Sequence, residues 1–586
     1  MPRRSPFSSS VPYLQRWLEG FRVQISRPDA VLQLSVLGLI AGVLAALVII
    51  ALRLLVEAAQ VNLLPMDMAE DFESMPTAWR VAAALGGGVL IGLLFRLTPA
   101  AYHAVGVGHV LERLSYHQGR LPWGNAVVQF VGGAISMICG HSVGREGPSA
   151  HLGAASSNLV AQALRLPHNS LRVLAACGAA AGIAASFNTP LAGAAFAMEV
   201  LLMEYTVAGF APVILATVSA TALTRWMFGH DLAYLVPELA PGELIELPYI
   251  LLGGILIGLL GAGFNALFQS VSLRSQQLPA WLRPMLGGLL VALCGLLAPQ
   301  VLGMGDDTVN DILLGHTGIG LLALLLVMKL VASAGGVGLG LPGGIIGPIL
   351  FVGATAGGLL GSVGMLLGIN DADALGMYTM LGMGAMMAGT LQAPLAGLIA
   401  ILELTGEPNF ILPGMLAVVA ATVMAGRIGR RESLFHGLLR ARGLGLRNDP
   451  VTQSLRRIGV AGVMDSKVQV MARKVTAAQV DQAIATAPTW LLLRDEEQPE
   501  LLLAAVDLVR ARKEDPDAEV YDLLEIPAIR LQTAPIDMQA SLQEADALVR
   551  DSGAEALHVV SHSVPGVPRV YGVLTRQDIE RSYRVG

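Results

Sequence analysis

The sequence predicts a polytopic α-helical membrane protein with broken and tilted helices, followed by a soluble α/β region. Three observations carry that prediction. Hydrophobic residues make up 54% of the 586-residue chain and charged residues only 14%, against about 25% charged in ordinary soluble domains. The mean hydropathy is +0.61. The apolar excess then stops near residue 447, where Asp, Glu, Gln and Arg begin to alternate with apolar residues. The 38 Lys plus Arg against 44 Asp plus Glu give a net charge of -6, with no basic excess to suit a nucleic-acid partner. Cys139, Cys177 and Cys294 lie in apolar stretches without a C-x-x-C pattern, which argues against a disulfide framework or a thiolate metal site.

Residues 1–29 carry Arg3, Arg4, Arg16, Arg22 and Arg27, and Ser10 to Arg27 reads as an amphipathic interfacial helix broken at Pro28. Ala30 to Leu52 has no charge and is long enough to cross about 30 Å of hydrocarbon. That length, with no small-residue cleavage site close behind it, argues against a removable signal. Further apolar segments follow at Val81–Phe95, Ala126–Cys139, Leu191–Val200, Ala211–Leu223, Leu247–Phe268, Met285–Val301, Leu321–Met328, Ile349–Leu367, Met377–Leu391 and Ile411–Ala425. Several fall well short of the about 20 residues a span needs. Short segments interrupted by Gly and Pro are tolerated in a bilayer where they line a cavity, a pattern that points to transport.

The membrane region is read as 30–447, in halves of about 30–230 and 245–440. Arg427, Arg430, Arg431, Arg440, Arg442 and Arg447 follow its last apolar segment. With the basic N-terminus they place both termini in the cytoplasm of a multi-pass protein of the cell (inner) membrane. Within 448–586, Leu502–Arg512 and Val570–Arg581 share one shape, a short apolar strand leading into a charged helix, which suggests a duplicated βαβ-type module.

The most informative run is Gly144-Arg145-Glu146-Gly147-Pro148-Ser149, which opens the uncharged segment Gly147–Leu164. A helix starting at Gly147 or Pro148 presents free N–H groups and a positive dipole end, suited to an anion. Gly344-Ile345-Ile346-Gly347-Pro348 repeats the arrangement in the second half, and Gly106-Val107-Gly108 is a third Gly-rich start. Converging helix starts bind an anion by partial charges, loosely enough to release it.

These motifs resemble the CLC family of chloride channels and proton-coupled chloride exchangers. GREGP at 144–148 and GGIIGP at 343–348 fall in that family's order, with NTPLAG at 188–193 between them. The resemblance covers nearly the whole chain. It implies chloride or another small anion as the transported ligand, an inverted-repeat fold, and a homodimer with one pore per subunit. It also implies Glu146 as the gating carboxylate and a CBS-domain pair for the tail. The anion site it implies comprises Gly106, Val107, Gly108, Arg145, Gly147, Gly344, Ile345, Ile346 and Phe435. The plainer reading of Glu146 is a lipid-interface or ion-paired glutamate beside Arg145.

The chain departs from the family at several positions. Val107 and Val110 stand where the first motif carries serine and proline, and Phe435 stands at the central tyrosine. Both pore hydroxyls are then missing, and the site rests on backbone amides, particularly those of Ile345 and Ile346. A drier site penalises strongly hydrated anions most. Val200, beside Glu199, occupies the internal proton-accepting position of exchangers and cannot carry a proton. The expectation from this residue is a passive anion channel gated by Glu146, with a proton-coupled chloride exchanger as the alternative; Glu204 is a carboxylate a turn further on. His109 could tune pH response or serve as a bonded structural histidine. No cofactor is required. An adenine nucleotide at the tail would use Thr575 and Asp578, with Asp507 and Arg510 aligned to them in the first copy, although a dimer-bracing or gating role fits the tail better. Gly140-His141-Ser142 offers a remote enzyme alternative, an intramembrane hydrolase. A fluoride exchanger of the same superfamily also lacks the serine, but the second half of GREGP and the tail fit the chloride branch.

Overall fold

The computed structural model describes residues 13–27, 30–230, 234, 246–429, 432–445, 450–494, 500–561 and 569–584. Arg3, Arg4, Ser10, Pro28, Arg430, Arg431 and Arg447 lie outside the described residues. The chain divides into two compact units. One comprises Leu34–Gln162 with Arg172–Leu446; the other joins Met1–Gln33 and Ala163–Leu171 to Arg447–Gly586.

The first unit is helical, and nine described helices of the chain are long and apolar enough to cross a membrane. Its order repeats helix for helix. Val31–Leu63, Thr77–Leu97, Gly106–Tyr116, Trp123–Ile138, Glu146–Ala163, His168–Phe187, Pro190–Leu202 and Val207–Phe228 make up the first half. Leu247–Ser275, Leu282–Leu297, Asp306–Leu313, Ile319–Gly338, Ile346–Leu366, Leu375–Leu391, Pro394–Thr405 and Ile411–Ile428 make up the second, and Leu434–Ala441 follows.

Local chemistry explains the short elements. Pro190 and Pro394 start their helices, where a missing N–H costs nothing. The two halves then exchange carboxylates at these starts. Glu199 accepts the N–H groups of Leu395 and Ala396 at 3.1 and 2.8 Å. Glu403 accepts those of Leu191 and Ala192 at 2.9 and 2.7 Å. Each half thus satisfies the orphan donors of the other. The motif helices pack closely on their successors, with Gly153 against Gly178 and Gly353 against Gly382, where a methyl group would strike backbone carbonyls.

The second unit carries a six-stranded sheet in the order β1-β3-β4-β6-β7-β8 and a β2-β5 pair. The strands are β1 Val468–Met471, β2 Lys474–Thr476, β3 Trp490–Leu493, β4 Leu501–Ala504, β5 Val520–Asp522, β6 Arg530–Asp537, β7 Ala556–Ser561 and β8 Arg569–Thr575. β1–β3 and β6–β7 are parallel, each bridged by a crossover helix, Ala477–Ala485 or Leu542–Ser552. Both helices open with a capping box, Thr476 with Gln479 and Ser541 with Glu544. The duplicated module is therefore visible as two copies of one topology. The strand-to-helix junctions align Ala504 with Thr575 and Asp507 with Asp578. The pairing of Asp507 with Thr575 expected from sequence is three residues out of register. The first copy retains the acid and lacks the hydroxyl.

Candidate anion site and gate

Helix starts build the site. Gly106 begins its helix with φ +76°, a left-handed conformation that favours glycine. Glu146 and Ile346 begin theirs, and Ser433 caps the helix carrying Phe435 by accepting the His436 N–H. The loops ahead of the two motif helices are tied together across the halves. Gly144 N–H donates to Gly344 O at 2.8 Å, and Gly344 N–H donates to Gly144 O at 2.7 Å.

A cavity of about 380 Å³ is lined by Gly106, Val107, Gly108, Glu146, Gly147, Gly344, Ile345 and Phe435. Eight of the sequence-predicted positions therefore meet around one space. Ile346 contributes differently, because its N–H donates to Oε1 of Glu146 and it borders a small apolar cavity that also touches Glu146. Arg145 lies elsewhere. Its guanidinium pairs with Glu70, Nε to Oε1 at 3.2 Å and Nη2 to Oε2 at 2.7 Å, and it lines a separate pocket with Glu70.

Glu146 is 1% exposed, and its Oε2 has no hydrogen-bond partner among the described residues. A carboxylate half-bonded on a helix start occupies the place where a helix start would hold an anion. Neither Val107 nor Phe435 brings a hydroxyl, so this part of the lining is backbone and hydrocarbon.

Of the other polar lining residues, sequence reasoning names His109, in the first motif, and does not bring the rest to this site. Arg283 and Arg442 bring positive charge to the cavity, Ser272 and Ser275 bring hydroxyls, and His109 and Glu112 bring ionisable groups. Arg283 is fixed by donating to Leu278 O and Gln276 O, both at 2.9 Å. A lone arginine in the first turn of one apolar helix and two serines near the end of another give no motif. Folding alone assembles them.

Val200 sits, 1% exposed, on a π-helical stretch, Ala197–Leu202, a wide turn often found at functional positions. That stretch ends at Met203 in a left-handed conformation, so Glu204 lies beyond the helix and not a turn along it. The hydrolase constellation is not assembled. His141 Nε2 meets Ala84 O at 2.9 Å, whereas Ser142 Oγ bonds Ser333 Oγ at 2.8 Å. In the tail, Thr575 Oγ1 accepts the Asp578 N–H at 3.3 Å and the Asp578 carboxylate accepts the Thr575 N–H at 3.0 Å, an N-terminal cap of the last helix.

The fold is that of a multi-helix membrane protein whose broken helices start around an internal cavity. Residues 87–426 match the family described as voltage gated chloride channel, and the chain belongs to that CLC family. It is 32% identical over 434 residues to a ClcB-like chloride channel protein, provisionally so named, of Ralstonia nicotianae, covering 72% of this chain and 99% of that one. It is also 32% identical over 343 residues to the H(+)/Cl(-) exchange transporter ClcA of Vibrio parahaemolyticus, covering 56% of this chain and 72% of the other. Among solved structures, a slow cyanobacterial Cl-/H+ antiporter aligns with TM-score 0.60 and 25% identity over 73% of this chain and 99% of that chain. A eukaryotic CLC transporter shares the fold at TM-score 0.58 and 20% identity over 93% of this chain and 98% of that chain.

Proposed function

We propose that this chain exchanges chloride for protons across the cell membrane, with Glu146 as the group both ions displace. The observation that carries this reading is the buried Glu146 carboxylate, seated on the Ile346 amide at the edge of the cavity. An anion arriving there competes with the carboxylate for the same donors, and protonation removes the carboxylate's claim on them. One group therefore answers to both ions. The likeness to a named H(+)/Cl(-) exchange transporter and a solved Cl-/H+ antiporter supports exchange. Gly106, Val107, Gly108, Gly147, Gly344, Ile345, Ile346 and Phe435 would frame the anion path, and Arg145, held by Glu70, would act through its field. The chain would work as a homodimer with both termini cytoplasmic, and its tail would brace the transporter without requiring a nucleotide.

A passive channel is the second reading, favoured by Val200, which offers no proton acceptor. The reversal potential of purified protein in liposomes separates the two, measured under a fixed chloride gradient with and without a proton gradient. Exchange predicts a potential that moves with the proton gradient. A potential fixed at the chloride equilibrium value would overturn it.

A further inference from the structure

We propose that the loop between the helices Gly106–Tyr116 and Trp123–Ile138 binds an anionic phospholipid, with its phosphate in a basic pocket and an acyl chain along the second helix. The site serves an exchanger and a channel alike, so it does not rest on the exchange reading.

The pocket has a volume of about 480 Å³, and its lining includes Arg113, Tyr116, His117, Arg120 and Gln162. Among the described residues no carboxylate lines it. Glu112, 3.6 Å from Nε2 of His117, lines the anion cavity instead. A basic residue in the last turn of a helix complements the macrodipole, and that alone would account for the place of Arg113. It accounts neither for Arg120, beyond the helix end, nor for the Nε of Arg113, which is buried without a hydrogen-bond partner among the described residues. A buried donor left unpaired is costly, and an acceptor reaching it from the pocket would satisfy it.

The loop is held in shape by the gate helix, Glu146–Ala163. Asn158 accepts the Leu121 N–H at 2.9 Å and donates to Gly119 O at 2.8 Å. Gln162 donates to Leu121 O at 2.9 Å. The pocket is therefore preformed, and a ligand pays little for ordering it.

The surface next to the pocket favours a lipid over free phosphate. Trp123, Val127 and Val131 follow Pro122 at i, i+4 and i+8, all exposed on one face of the next helix. They make an apolar strip about 12 Å long. Tyr and Trp concentrate at the boundary between membrane and water, and here Tyr116 lines the pocket while Trp123 begins the strip. Basic side chains at that boundary, continuous with hydrocarbon-facing ones, match a lipid whose headgroup is net negative. Free phosphate would use the arginines and leave the strip uncovered. A lipid seated here would bear on both helix starts, because the loop continues the helix that Gly106 begins and hangs on the one that Glu146 begins.

The test titrates the purified full chain, in a neutral detergent, with dioctanoyl phosphatidylglycerol, dioctanoyl phosphatidylcholine or inorganic phosphate, and reads the melting temperature. Phosphatidylglycerol should raise it saturably at concentrations where the other two do not. In the double variant Arg113→Gln, Arg120→Gln, the concentration giving half the effect should rise on the order of tenfold or more, with the lipid-free melting temperature close to wild type. Should that variant fail to fold, Arg120→Gln alone, a change at an exposed residue, should still raise it severalfold. Equal protection by phosphatidylcholine overturns the phosphate contact, and equal protection by inorganic phosphate overturns the lipid. No protection of the wild type, or a half-effect concentration unchanged in a folded variant, overturns the site.

Discussion

At the gate, one carboxylate and two glycines depend on each other. Glu146 can reach the Ile346 amide because Gly144 and Gly344 have no Cβ, and a methyl group on either would overlap the carboxylate. Gly344→Ala should therefore push Glu146 off its seat and flatten the pH dependence of chloride flux, measured by anion efflux across a pH series. Glu146→Gln should flatten it too and abolish proton transport, because an amide neither takes up the proton nor carries the charge that competes with chloride. Phe435 bears on selectivity, since it lines the cavity without a hydroxyl. Phe435→Tyr should raise the preference for chloride over a weakly hydrated anion such as thiocyanate. One net hydrogen bond of about 1 kcal/mol corresponds to a factor of roughly five, readable from bi-ionic reversal potentials.

At the scale of elements, the exchanged carboxylates hold the short helices. Glu403→Gln should lower stability by about 1–3 kcal/mol, the range for losing a hydrogen bond to a charged group, seen as a lower melting temperature in detergent. Glu199→Gln should do the same from the other half. The three helix starts were legible in the sequence because GREGP, GGIIGP and GVG mark them locally. The helices His168–Phe187 and Pro394–Thr405 were not. The first opens with His168, Asn169, Ser170 and Arg172 and continues in small residues, and the second carries Glu403, so neither reads as plain hydrocarbon. Lys329 hid a third stretch in the same way. The apolar segment expected to stop at Met328 continues to Gly338, because Lys329 is fully buried and donates to the carbonyls of Val301, Gly303 and Met304 at 2.9–3.1 Å. A charge satisfied by backbone from another segment is invisible to any local window. The cavity's Arg283, Arg442 and His109 were illegible as a set because they lie on separate segments that only folding brings together.

At the scale of the whole molecule, the tail does not stand alone as a unit. Its compact body includes Ala163–Leu171, the connection between the gate helix and its successor. There His168 Nδ1 meets Glu544 Oε2 at 2.9 Å, and Glu544 also accepts the Ser541 N–H at 2.8 Å to close a capping box. Burial raises the Glu544 pKa, but the bonds from His168 and Ser541 outweigh it and hold the carboxyl below its ordinary value. A carboxyl depressed in the folded state contributes stability that is present above its unfolded pKa and lost as pH falls through the folded one. The full chain should therefore lose stability as pH drops below the ordinary carboxylate range, and Glu544→Gln should remove part of that dependence. Thermal melts of both proteins across an acidic pH series measure it. Parallel slopes would exclude the contribution.

The exchange of Glu199 and Glu403 between the halves bears on how such a chain could arise and be cut. A half-length polypeptide would keep its proline-led helix start and its glutamate but could use neither on itself. Only an upside-down second copy would close both caps at once. Severing the chain between Phe228 and Leu247 should thus give two fragments that fail to accumulate separately and recover anion transport when co-expressed.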